Sequence, residues 1–81
     1  MKRNEIVAKV NEFLVDEFEL EDGQLKPEAL MKEDLDIESL DFVDIAVIIE
    51  KEFNLKVTSE QMIKIVKLED LYNFIVEQSA N

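Results

Sequence analysis

Three stretches of this chain repeat apolar residues at a helical period, and its only glycine and only proline both fall in the first gap between them. In the first stretch Ile6, Val7, Val10, Phe13, Leu14 and Phe18 follow i, i+3, i+4, i+7 spacing. Asn4 is the expected N-cap, and the helix should end near Phe18. A second helix is expected from about Ser39 to Phe53. A further long one should run from about Leu68 to Gln78, with Leu68, Leu71, Tyr72, Ile75 and Val76 on one face. Between these two lies a shorter helix. Thr58 and Gln61 fit a T-x-x-Q capping box, and Val57 and Met62 fit the hydrophobic staple around it. Met62, Ile63, Ile65 and Val66 are expected to anchor it. No strand pattern competes: "LKVTS" at 55–59 alternates briefly and has no partner strand. The expected fold is all-α: a four-helix bundle with three long helices, one short helix and a long loop between the first two long helices. Residues 1–81 are expected to form one domain.

Composition then narrows function. The chain has no cysteine and no histidine, so disulfides, thiolate metal sites and Ser-His or Cys-His catalysis are excluded. A domain of this size is marginally stable and must rely on apolar side chains, 47% of its residues. Twenty acidic residues against nine basic ones give a net charge of −11. Such a surface repels nucleic acid and anionic membranes and favours basic protein surfaces. The N-terminus lacks the sustained apolar run of a signal peptide, and no stretch approaches the roughly 20 apolar residues of a membrane span. The expected location is cytoplasmic.

The connection over residues 19–38 is long for a compact domain, and such loops are usually functional or carry local structure. Pro27 is placed to open a short turn, and Leu25, Leu30, Met31 and Leu35 should pin the loop to the core. The core itself should be Ile6, Val10, Phe13, Leu14, Ile45, Ile49, Phe53, Ile65, Leu71 and Ile75.

The second helix has too many apolar faces. At 100° per residue Phe42, Ile45, Ala46, Ile49 and Phe53 cluster on the core side. Leu40, Val43 and Val47 fall near the opposite side, among Asp44 and Lys51, with Ile48 beside Asp41 on one flank and Glu50 on the other. Either another part of the chain covers this strip, or it is a docking surface with an apolar centre and a charged rim.

The strip begins at Ser39, set among Asp34, Asp36, Glu38 and Asp41. A serine there reads by default as an N-cap, although Phe42 stands where a capping-box partner would be. A calcium loop starting at Asp34 fails at its two demanding positions, which hold Ser39 and Ile45 in place of Gly and Glu. A third reading is a group attached to the hydroxyl through phosphate, since a helix N-terminus stabilises such an anion.

"DLDIESLDFVDIAVIIEKEF" resembles the segment around the prosthetic-group serine of acyl carrier proteins. Glu38-Ser39-Leu40-Asp41 and Val43-Asp44 match its acid-Ser-Leu-Asp-x-Val-acid pattern, as does Glu50 through Phe53, and the order and lengths of the helices agree over nearly the whole chain. Three departures stand out. The family commonly has Asp before the serine and Gly two residues earlier, where this chain has Glu38 and Asp36. Phe42 replaces a small residue, and Lys51 falls where an acid is frequent. The first should alter the loop that a modifying transferase meets. The second should reshape the cavity for an acyl chain.

The resemblance implies a carrier and not an enzyme. A phosphopantetheinyl transferase would move 4′-phosphopantetheine from coenzyme A to Ser39, and the arm's thiol would carry acyl chains as thioesters, so the thiol belongs to the cofactor. It implies Leu40, Val43 and Val47 as apolar contacts, with Asp41, Asp44, Glu50 and more weakly Glu60 as acidic contacts. These would meet the transferase and acyl-processing enzymes with basic docking surfaces. The protein is expected to be a monomer serving fatty-acid synthesis. Polyketide and aminoacyl or peptidyl carriers share the scaffold, and an unmodified acidic adaptor with Ser39 as a mere cap is the rival from another class.

Overall fold

The computed structural model describes residues 2–79 and is all-helical over them. The long helices are α1 (Arg3–Phe18), α2 (Ser39–Phe53) and α4 (Leu68–Ser79), and the short one is α3 (Ser59–Ile63). Two termini differ from expectation. Lys2, not Asn4, is the N-cap of α1, because its carbonyl accepts the Glu5 and Ile6 N–H groups, both at 3.1 Å. Arg3 also donates to Asn73 Oδ1 at 2.6 Å, which ties this early turn to α4. The cap of α2 is Glu38, not Ser39.

The helices end for local reasons. Glu19 closes α1 and Asn54 closes α2, each at φ 55 in the left-handed region. Thr58 caps α3 as expected: its Oγ1 accepts the Gln61 N–H at 3.2 Å, and Gln61 Oε1 accepts the Thr58 N–H at 2.9 Å. At α4 the Asp70 carboxylate takes the Val66 and Lys67 N–H groups at 3.2 and 2.9 Å.

α1 packs against α4, and α2 against α3. Nine of the ten expected core residues are buried. Phe53 is the correction. It ends α2 and stays half-buried, with the Lys9 ammonium 6.0 Å from its ring centroid. Ala46 is likewise only half-buried. α3 brings a second correction. Met62 and Ile65 are buried, but Ile63 and Val66 are exposed and anchor nothing.

The long loop supplies much of the core. Leu20, Ala29, Met31, Leu35 and Ile37 are all buried, while Leu25 and Leu30 are half-buried. Its backbone is tied to the segment before α4. Met31 donates to the Val66 carbonyl, Leu68 to that of Ala29 and Glu69 to that of Pro27, each at 2.9 Å. An isolated antiparallel bridge joins Leu30 to Lys67, and no strand forms among the described residues. These bonds satisfy backbone groups that an irregular segment would otherwise bury unpaired.

Candidate functional site

Ser39 is the first helical residue of α2 and is exposed. Glu38 before it is extended, at φ −92 and ψ 171. Asp41 Oδ2 accepts the Glu38 N–H at 2.9 Å, and the Glu38 carbonyl accepts the Asp41 N–H at the same distance. Capping is therefore done by Glu38 and Asp41, which leaves the Ser39 hydroxyl unused by the helix. The expectation that Phe42 removes the capping partner is corrected too: with Glu38 as cap, Asp41 holds the partner's place. The N–H groups of Ser39 and Leu40 have no carbonyl partner within the helix, as the first turn dictates.

The loop brings Ser39 to this place. Ile37 is buried and donates to the Met31 carbonyl at 2.9 Å. Asp36 turns the chain at φ 55, in the left-handed region where a side chain is strained. This is the position at which the resemblance calls for glycine.

α3 lies beside α2 without covering it. Leu40 is 79% exposed, Val43 61% and Val47 48%, so the strip is not buried by the rest of the chain. Between the two helices is a cavity of about 410 Å³, with Ser39 in its lining. Phe42, Val43, Ala46, Val47 and Glu50 line it from α2, and Val57, Thr58, Ser59, Met62, Ile63 and Ile65 from the α3 side. Lys32 of the loop completes the wall.

Of the residues singled out in the sequence, the cavity thus gathers Ser39, Val43, Val47 and Glu50. Leu40 and Asp44 are exposed on α2 outside its lining, Asp41 is half-buried, and Glu60 is exposed in the first turn of α3. Sequence reasoning missed Lys32 and the α3 wall. The spacing held one clue: Met62 and Ile65 form one i, i+3 pair and Ile63 and Val66 another, rotated by about 100°.

Among the described residues no group of three or more His, Cys, Asp or Glu side chains is placed to hold a metal ion. Among the described residues no helix is long and apolar enough to cross a membrane.

A phosphate-linked group fits this site. The hydroxyl is exposed, the helix N-terminus favours an anion, and the adjoining cavity is mainly apolar. Residues 7–75 match the family described as "Phosphopantetheine attachment site". The fold and site thus define a carrier domain whose cofactor is covalently attached 4′-phosphopantetheine. The chain is 32% identical to the acyl carrier protein of Rubrobacter xylanophilus over 80 residues, covering 99% of each. It is also 32% identical to that of Thermosynechococcus vestitus, again over 99% of each. The crystal structure of the Thermotoga maritima acyl carrier protein superposes with a TM-score of 0.81 at 28% identity, over 96% of this chain and 91% of that one. The solved structure of the Enterococcus faecalis acyl carrier protein gives the same TM-score at 26% identity, over 98% of this chain and 100% of that one. The chain belongs to the acyl carrier protein family, whose members carry acyl groups and are not enzymes.

Proposed function

We propose that residues 1–81 act as one monomeric carrier domain in cytoplasmic fatty-acid biosynthesis, with Ser39 as the attachment point of 4′-phosphopantetheine. The observation that carries the attachment point is the Ser39 hydroxyl itself. It is exposed at the N-terminus of α2, unused by the cap, and adjoins a mainly apolar cavity. The fatty-acid assignment is supported by the strong acidity and by end-to-end similarity to curated acyl carrier proteins.

In the loading step Ser39 Oγ attacks the pantetheine-bearing phosphorus of coenzyme A. An Oγ–P bond forms as the pyrophosphate P–O bond breaks, adenosine 3′,5′-bisphosphate leaves, and the hydroxyl proton passes to a base of the phosphopantetheinyl transferase. The attached group supplies the thiol that the chain, without cysteine, lacks. The chain's own part is presentation and recognition. The N-terminal turn of α2 faces the phosphodiester anion with unpaired N–H groups. Leu40, Val43 and Val47 offer the partner an apolar centre. Asp44 and Glu50 offer charge to its Lys and Arg residues, with Glu60 at the edge. Asp41 divides its carboxylate, one oxygen capping α2 and the other left for a partner.

Intact mass before and after incubation with coenzyme A, magnesium and an active transferase tests this. One phosphopantetheinyl group mapping to Ser39 is expected. Ser39→Ala should fold with a stability within about 0.5 kcal/mol of wild type, since no cap is lost, and should take up none. A loaded Ser39→Ala protein would move the site elsewhere.

A further inference from the structure

Among the described residues Lys32 is the only cation lining the cavity that Ser39 adjoins. Its backbone is fixed from both sides. Met31 is fully buried and donates to the Val66 carbonyl at 2.9 Å, and Leu35 is 2% exposed. The turn between them is closed by a reciprocal pair: Leu30 N–H to Asp34 Oδ2 at 2.8 Å, and Asp34 N–H to the Leu30 carbonyl at 2.9 Å. Lys32 therefore leaves an ordered turn at a set place on the cavity wall, and its long stem can lie along apolar surface while the ammonium stays wet.

The surroundings give that ammonium a task. Asp36, Glu38 and Asp41 flank Ser39 in sequence, in a chain of net charge −11. A phosphodiester at Ser39 adds an anion to a neighbourhood already rich in them. The first turn of α2 offsets part of this, and the loop contributes one cation on the same wall.

We propose that Lys32 is the counter-charge for the phosphodiester on Ser39, a positioning residue that holds the root of the arm at the mouth of the α2–α3 cavity. This rests on the reading of Ser39 as the attachment point. A compact ammonium on a flexible stem suits a single anionic centre. The contact is exposed, so its strength should be that of a surface pair and should fade in salt.

The test compares apo and holo forms of wild type, Lys32→Gln and Lys32→Arg, after mass mapping of the modification. In urea unfolding at low ionic strength, Lys32→Gln should lower the folding equilibrium constant of the holo form roughly 1.5- to 5-fold more than that of the apo form. Lys32→Arg should retain most of the difference. In the holo form the phosphodiester 31P resonance should move on Lys32→Gln, and in wild type it should move the same way as salt is raised. Equal losses in apo and holo, or a 31P resonance that ignores Lys32, would overturn the role of Lys32 alone. A phosphopantetheinyl group mapped to another residue would overturn the attachment point and this inference together.

Discussion

Asp36 shows at the level of one residue how a departure from a family pattern is borne. The left-handed backbone that brings the chain round to Ser39 is the reason a glycine suits this place, and Asp tolerates it better than most side chains. Asp36→Gly should relieve that strain while giving the unfolded chain more freedom to lose. We expect a net stabilisation of roughly 0.5–1 kcal/mol in urea unfolding. Asp36→Ala is the control, for it removes the same charge and keeps the strain; an equal gain there would mean that charge and not backbone is responsible. Ser39 carries a second lesson. Its default role as a cap was reasonable from residue type, but the extended backbone of Glu38 shifts the cap by one position and releases the hydroxyl.

Among the elements, α3 is the one that cannot stand alone. With five residues it is far below the length at which helices hold in water, so its cap and its packed side chains must keep it. Met62 and Ile65 fix it to the core, and Thr58 with Gln61 closes its start. Thr58→Ala should cost about 1 kcal/mol. The loss should appear locally: hydrogen exchange at Gln61 and Met62 should speed up while the α1 and α4 amides keep their protection. Uniformly faster exchange would show that α3 opens only with the whole molecule. Because α3 forms one wall of the cavity beside Ser39, its local stability also bears on how that cavity opens. The exposed Ile63 belongs to this wall.

Across the whole molecule, α1 and α4 are joined by polar ties at their shared face. Tyr72, only 2% exposed, donates its hydroxyl to Asn11 Oδ1, and Arg3 reaches Asn73. Burial pushes the Tyr72 phenol above its ordinary 10.0, with the Asn11 side chain and the Arg3 guanidinium offsetting part of the rise. A raised value in the folded state means that the protein holds this proton more tightly folded than unfolded. The resulting stability is fully present below pH 10 and is lost as pH rises through the folded value. Unfolding of wild type and Tyr72→Phe, followed between pH 8 and 12, should isolate this effect. The variant should be weaker by about 1 kcal/mol at pH 8 for the lost hydrogen bond, and the gap should narrow as pH rises. A constant gap would mean that Tyr72 does not titrate differently on unfolding.

Much of this was legible in the residues themselves. The count and order of helices, the extents of α2 and α4 to within a residue, the cap of α3 and the second apolar strip on α2 followed from periodicity and capping chemistry, because those signals are local. The serine and its acidic neighbours were legible for the same reason: they are adjacent in the chain. What only the tertiary structure decided are the matters that depend on distant segments meeting. The long loop has no period: residue type picks out Met31 and Leu35, but Leu20, Ala29 and Ile37 could not be told from exposed residues until its backbone paired with the segment before α4. Phe53 keeps the core-facing phase of α2 yet ends half-buried, since burial depends on what packs opposite and not on phase alone. The cavity exists only because a five-residue helix lies against α2 without closing on it. Lys32 and Ser39 line the same cavity because burial of Met31 and Leu35 fixes the turn between them, a consequence of packing that no spacing in the sequence encodes.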